Sequence, residues 1–282
     1  MRILVTGAGG MLGTDVCHAA AAAGVEAVPY DHEGLDVTDS AAVEGAIGRA
    51  RPDAVVNCAA WTDVDGAESA ADAALAVNRD GADAIARGAA AHGAWVVHVS
   101  TDYVFNGRES APYVESDPVE PLSVYGSTKL KGELKVARAA PDAHTIVRSS
   151  WLFGKAGRCF PKTILRLGAE RDELTVVDDQ IGCPTFTGHL ARALLGLVTG
   201  ERLLGVVHVA AASECSWFEF AREIVRAAGL RCDVKPGKTA ALERPAQRPA
   251  HSVLRSERLG APTLPDWREG LREFMALQVP AA

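Results

Sequence analysis

Arg2-Ile3-Leu4-Val5-Thr6-Gly7-Ala8-Gly9-Gly10-Met11-Leu12-Gly13 opens the chain, and the order of residue types in it decides the fold. The first five form a short apolar run of β type, glycines at 7, 10 and 13 follow at once, and Asp15 to Ala23 carries a helical pattern. Strand, tight turn and helix in that order make the first βα unit of a dinucleotide-binding fold. Gly7 permits the turn, Gly10 lets the backbone approach a pyrophosphate, and Gly13 lets helix and strand pack closely. Met11 and Leu12 lie between the last two glycines and would border the cofactor, and the N-terminus of the helix that follows brings amide donors and the positive end of its dipole. Such turns also close βα units that bind nothing, so the rest of the chain must carry part of the case.

Working outward, apolar runs at Val25 to Pro29, Ala54 to Asn57, Trp95 to Ser100 and Thr145 to Trp151 alternate with Ala- and Arg-containing helical stretches. That rhythm predicts an α/β fold, a Rossmann-type doubly wound parallel sheet over residues 1–154. Beyond Gly154 it loosens. Helices are expected at Cys159 to Glu170, Gly188 to Val198, Trp217 to Ala228 and Asp266 to Leu277, and strands at Leu174 to Asp178 and Val206 to Ala210. Residues 155–282 are expected to build mainly a smaller C-terminal α/β lobe for the substrate, some segments returning to the first domain. Ligands of such sheets lie outside the carboxyl ends of the strands, which places the substrate between the lobes.

Composition narrows the function classes. The chain has 282 residues, 48% of them hydrophobic, and a net charge of -7, which gives no basic footprint for nucleic acid. No apolar run approaches membrane-spanning length, and the first strand starts at residue 2 without a secretory leader, so a cytoplasmic protein is expected. Six scattered cysteines, with no CxxC and no Cys/His cluster at zinc spacing, suggest a reducing compartment and no structural metal.

Chemistry enters at Tyr125-Gly126-Ser127-Thr128-Lys129. Tyrosine and lysine four apart share one helix face, so the ammonium can stabilise the phenolate left when Tyr125 gives up its proton, making it a better acid. An acid able to protonate a carbonyl, on a chain able to hold a dinucleotide, describes a reductase using NADPH or NADH. Asp31 lies a strand's length past the glycine turn, where a carboxylate accepts hydrogen bonds from the adenosine ribose. It favours NADH, whereas the neighbouring His32 tolerates a phosphate; Asp36 and Val37 would then flank the adenine.

Together these residues resemble an extended short-chain dehydrogenase/reductase, specifically the dTDP-4-dehydrorhamnose reductase family, over nearly the whole length. Besides the glycine turn and Tyr125 with Lys129, the marks are Asn57-Cys-Ala-Ala-Trp-Thr-Asp-Val-Asp65 with Glu68 and Asn78, and Ser100-Thr-Asp-Tyr-Val-Phe105. Further along come Arg148-Ser-Ser-Trp151, Asp179-Gln-Ile-Gly-Cys-Pro-Thr185, Arg244-Pro-Ala-Gln-Arg-Pro249 with Ser252, and Leu264-Pro-Asp-Trp267. The resemblance implies reduction of the 4-keto group of a nucleotide-linked 6-deoxyhexose, and a homodimer. It implies that Thr101 bonds the carbonyl oxygen, that Tyr125 delivers the proton, and that Lys129 binds the nicotinamide ribose while holding Tyr125 as a donor. Ala59, Ala60 and Thr62 would border the cofactor, and Asp102, Tyr103, Trp151 and Arg248 the substrate.

Bland readings stand beside several of these. A threonine at a strand's end often caps a turn, Trp151 could pack between the lobes, and an arginine in a Pro-rich loop is often a surface residue. The 4,6-dehydratases of the same superfamily carry an Asp-Glu pair after the threonine; here the second carboxylate is missing and Tyr103 stands in its place, which argues against dehydration. Two departures stand out: Arg158-Cys159-Phe160 replaces the family's usual Asn-containing stretch, and Asp15 stands where some members place a glutamate linked to an interface metal. A carboxylate near a helix N-terminus is explained by the dipole alone, and no metal is expected. A reductase of another activated deoxysugar, and a non-catalytic nucleotide-binding regulatory subunit, stay open as alternatives.

Overall fold

A computed structural model describes residues 1–278, so the last four residues of the expected lobe 155–282 lie outside the described residues. The first half runs β1 (Arg2–Thr6), α1 (Met11–Ala22), β2 (Glu26–Tyr30), α2 (Ser40–Ala50), β3 (Ala54–Asn57), α3 (Val64–Ser69), α4 (Ala71–Leu75), α5 (Ala82–Ala91), β4 (Trp95–Thr101), α6 (Val124–Ala139) and β5 (His144–Ser149). The second half runs β6 (Leu152–Phe153), α7 (Phe160–Glu170), β7 (Glu173–Val177), β8 (Ile181–Gly182), β9 (Thr185–Phe186), α8 (Thr187–Thr199), β10 (Gly205–His208), β11 (Cys215–Ser216), α9 (Trp217–Ala227), β12 (Asp233–Gly237) and α10 (Trp267–Ala276).

Six parallel strands in the order β10-β5-β4-β3-β1-β2 form the main sheet. Helices cover both faces, which is why its central strands read as unbroken apolar runs. On one face α1 and α8 meet β1, β3 and β4 through Val16, Ala20, Leu190 and Leu194. On the other, α2, α5 and α6 bury Val43, Ile47, Ile85 and Val136. The chain moves outward from β1 to β2 and then returns to lay β3 on the opposite side of β1. The crevice at that reversal is the topological switch point, and the glycine turn and the loop after β3 both open into it.

The smaller lobe has an aromatic core, with Phe153, Phe220, Trp267 and Phe274 all buried. Its longest pairing, β7 with β12, is parallel. Helix α9 is capped at both ends of its first turn's hydrogen-bonding by Ser216 and Glu219, a reciprocal capping box. Helix α8 and strand β10 follow residue 154, yet α8 packs on α1 and β10 extends the main sheet beside β5.

Candidate active site

The glycine turn is built by close contact. Gly7 has φ of 65°, and a Cβ there would lie 2.7 Å from the Ala59 nitrogen; a Cβ on Gly13 would lie 2.2 Å from the Gly7 carbonyl. Side chains at either position would push α1 off β1 and the loop after β3. Gly10 caps α1 without a side chain, and its carbonyl accepts from Thr14, so the amides of Met11, Leu12 and Gly13 lie ahead of the helix's own ladder. Donors at a helix N-terminus beside a cradle that Cβ atoms would fill suit a pyrophosphate.

Asp31 lies at the end of β2, where Ala8, Gly9, Pro29, Tyr30 and Gly34 line a shallow pocket with it, and its Oδ1 accepts from Gly34 N at 2.8 Å. Asp36 is exposed, and the amide and hydroxyl of Thr38 hold its carboxyl below the usual carboxylate range. Val37 is buried against Gly81. Across the crevice Asn57 Oδ1 accepts from the Thr6 hydroxyl at 2.8 Å and from Ala59 N at 3.1 Å, while its amide nitrogen meets His98 Nδ1 at 2.9 Å. This buried ladder fixes the turn that carries Ala59 and Ala60; Thr62 is exposed further along the loop.

Thr101 ends β4, and Tyr125 and Lys129 lie on the first turns of α6. That helix is set by Ser123, whose hydroxyl accepts from Gly126 N at 3.1 Å, and by Glu68, which accepts from Val124 N at 2.9 Å. Gly126 lets α6 approach the 102–104 turn, since a Cβ there would lie 2.2 Å from the Tyr103 carbonyl. The Tyr103 and Tyr125 rings consequently meet edge to face at 5.8 Å. A π turn at Ala76–Gly81 carries buried Asn78, whose side chain bonds Trp61 N and O and the Thr128 hydroxyl, tying the loop after β3 to α6.

The Tyr125–Lys129 pair differs from expectation in one respect. Burial pushes the Tyr125 phenol up to about 12, the Thr101 hydroxyl beside it pulling the other way. Lys129 Nζ donates to the Val99 carbonyl at 2.7 Å, and burial lowers its pKa to about 8 against the pull of Glu133. Tyr125 is thus a fully protonated donor near neutral pH, although the ammonium does not strengthen it as an acid here. Thr101 does cap: its oxygen accepts from Tyr103 N at 3.2 Å, and its hydroxyl donates to Asp102 Oδ1 at 3.0 Å.

Other candidates are more engaged than their sequence suggested. Trp151, with φ of 47°, stacks on Trp217 at 3.6 Å, joining the segment after β5 to α9. Arg248 makes a two-pronged pair with Asp65 at 2.8 and 2.9 Å, which fastens the Pro-rich 243–249 loop to α3. Asp15 accepts from the Thr187 hydroxyl at 2.5 Å, linking α1 to α8, and among the described residues no group of three or more His, Cys, Asp or Glu could hold a metal ion. Cys159 stands at the N-cap position of α7 without a side-chain bond to that helix, and its thiol donates to the Gly154 carbonyl at 3.7 Å. No helix among the described residues is long and apolar enough to cross a membrane.

The sequence reading assigned no role to the support behind Lys129. Glu133, one turn further along α6, accepts from Arg148 Nη2 at 2.7 Å and from the Ser100 hydroxyl at 2.5 Å, with both ion-pair side chains about 5% exposed or less. Two signals pointed to it: a charge at Arg148 inside an apolar strand, and an acid four residues beyond Lys129 on one helix face. Glu133→Gln should cost about 3 to 5 kcal/mol of stability, because it leaves the guanidinium buried without its counter-charge. Urea unfolding checks this, and a loss below about 1 kcal/mol would mean that water or another group replaces the carboxylate.

The same architecture and chain length recur among known proteins. The family model described as RmlD substrate binding domain matches residues 1–279. The chain belongs to the dTDP-4-dehydrorhamnose reductase family. It is 42% identical over 285 residues to a dTDP-4-dehydrorhamnose reductase of Streptomyces griseus, covering 98% of this chain and 94% of that one. It is 41% identical over 280 residues to a probable dTDP-4,6-dihydroxy-2-methyloxan-3-one 4-ketoreductase of Streptomyces antibioticus, covering 97% and 94%. A solved dTDP-4-dehydrorhamnose reductase of Bacillus anthracis, in complex with NADP, superposes with a TM-score of 0.94 at 37% identity over 98% of this chain and 99% of that one. Membership of the reductase family thus rests on full-length matches in both sequence and structure.

Proposed function

We infer that the chain is an NAD(P)H-dependent ketoreductase that reduces the 4-keto group of a nucleotide-activated 6-deoxyhexose. The observation that carries this is the convergence of Thr101, Tyr125 and Lys129 at the carboxyl ends of β4 and α6's first turns, next to a glycine cradle that fits a dinucleotide. In this reading Gly7, Gly10, Met11, Leu12 and Gly13 hold the pyrophosphate, Asp31 the adenosine ribose, and Lys129 the nicotinamide ribose. Residues 1–154 serve mainly the dinucleotide and 155–282 mainly the sugar nucleotide, with α8 and β10 returned to the first. The bound nicotinamide supplies a hydride; the protein's own part is to position and protonate the carbonyl oxygen, through Thr101 and Tyr125. Tyr103, edge to face with Tyr125, offers its ring beside the proton donor, while Trp151 supports this side through its stack on Trp217 and Arg248, held by Asp65, anchors the 243–249 loop.

The Streptomyces antibioticus relative favours a second substrate, another activated 4-keto deoxysugar, on the same machinery. Coenzyme oxidation with a panel of 4-keto sugar nucleotides separates the two. The purified chain should turn over a dTDP-4-keto-6-deoxyhexose, and failure to oxidise either reduced coenzyme with any member would point instead to a non-catalytic subunit.

Coenzyme choice turns on Asp31. A carboxylate that accepts the ribose 2'-hydroxyl repels a 2'-phosphate, so Asp31→Ser should shift preference toward NADPH by about 1 to 2 kcal/mol. The ratio of kcat/KM for the two coenzymes, in wild type and variant, measures it. An unchanged ratio would place the side chain in solvent, bonded only to Gly34.

A further inference from the structure

Asp102, expected to border the substrate, is a buried carboxyl to which the proposed proton donation assigns no step. It is 2% exposed, and its Oδ2 has no hydrogen-bond partner among the described residues, while Oδ1 accepts from the Thr101 hydroxyl at 3.0 Å. The Thr101 hydroxyl in turn lies beside that of Tyr125. An ionised carboxylate with one oxygen unmet in a dry site is costly, whereas a neutral carboxylic acid costs far less. Burial accordingly pushes the group up to about 7, against the pull of the Ser252 and Thr101 hydroxyls and nearby amides.

The groups facing it are Tyr103 on its own turn, Tyr125 on α6 and the Cys183 thiol from the segment before β9. Among the described residues no cation is bonded to it: Lys129 is bonded to Val99, and the charge of Arg248, paired with Asp65, is felt at Tyr103.

We propose that Asp102 is a proton reservoir that recharges Tyr125 through the Thr101 hydroxyl after each reduction. The relay rests on Tyr125 being the acid. Once Tyr125 has given its proton to the substrate oxygen, the Thr101 O–H bond breaks and a new O–H bond forms on the phenolate. The Asp102 O–H bond breaks in the same movement and restores the Thr101 hydroxyl. No electrons change hands, and the proton runs downhill from a carboxylic acid to a phenolate. Asp102 is left as a carboxylate and regains its proton from water when product leaves. The Thr101 hydroxyl, free to rotate, both donates and accepts, and therefore can pass a proton that a bare capping contact would not.

The test is Asp102→Asn, which keeps shape and loses the proton, followed by stopped flow with NADPH and a dTDP-4-keto-6-deoxyhexose. The first turnover should run close to the wild-type rate and later turnovers about tenfold slower or more, giving a burst of one equivalent. Equal slowing of first and later turnovers, or unchanged steady-state turnover, overturns the relay. Tyr125→Phe should lose the first turnover as well; a normal first turnover there would defeat the acid assignment itself, whatever Asp102 does. A second readout needs no turnover: infrared spectra of the chain alone should show a buried carboxylic acid titrating near pH 7, and its absence overturns the proposal. Ser252→Ala removes a hydroxyl that pulls the carboxyl down, so it should raise that midpoint by about half a pH unit. An unmoved midpoint assigns the band to another group and removes the reservoir, even if Asp102→Asn does not fold.

Discussion

Tyr125→Phe is expected to lower kcat by on the order of 10²- to 10⁴-fold while leaving coenzyme affinity unchanged. The variant removes one hydroxyl and keeps the ring, so the edge-to-face contact with Tyr103 survives and α6 keeps its seat. In the proposed reaction it loses the proton that the carbonyl oxygen receives in the transition state. The phenol is protonated across the whole neutral range, because burial holds it near 12. Its supply of acid is therefore not limited by its own titration. Coenzyme-binding titrations and kcat together check the assignment, and near-normal turnover would move the proton donor elsewhere.

Lys129→Met is expected to fail differently, with coenzyme KM rising and kcat falling together, for a loss on the order of 10²-fold in kcat/KM. The side chain is 2% exposed, its ammonium is fixed on the Val99 carbonyl, and in the proposed site it holds the nicotinamide ribose. Methionine fills the same space without charge, and Glu133 keeps Arg148 as its partner, so the fold should hold. The pH profile provides a second check. Burial brings the Lys129 pKa down to about 8, so wild-type coenzyme affinity should be complete below that pH and fade as pH rises through it. The variant's affinity should be low and flat across the same range. Loss of turnover at wild-type coenzyme affinity would mean that Lys129 does not reach the ribose.

Much of the fold was written in residue pattern, and particular elements show why. Ala54–Asn57 was expected as a strand with the bounds found, because a buried parallel strand flanked by loops leaves a short unbroken apolar run. α1 begins at Met11, four residues earlier than the helical pattern at Asp15, since glycines mask the first turn of a helix whose cap is itself a glycine. The return of β10 and α8 to the main sheet left no local trace; strand order is set by non-local pairing that periodicity does not encode. The π turn at Ala76–Gly81 is likewise silent in sequence, an extra residue absorbed where Asn78 reaches across to Trp61 and Thr128.

The candidate site divides along the same physical line. Gly7, Gly13, Thr101, Tyr125 and Lys129 were legible because their residue types are demanded by a left-handed φ, a close approach or an acid. Asp36, Trp151 and Arg248 were legible as polar or aromatic groups in suggestive places, but their bonds to Thr38, Trp217 and Asp65 depend on what folds against them. Glu133 and the titration of Asp102 depend on burial, which only the assembled sheet supplies.

The central claim is hydride delivery to the sugar's 4-keto carbon with Tyr125 protonating its oxygen. The most direct measurement uses reduced coenzyme carrying deuterium at the transferable C4 position, with a dTDP-4-keto-6-deoxyhexose as substrate and the product read by NMR and mass spectrometry. One deuterium at sugar C4 for each coenzyme oxidised, in wild type and lost with turnover in Tyr125→Phe, is the expected result. Deuterium at any other carbon, or substrate conversion without coenzyme oxidation, would contradict it.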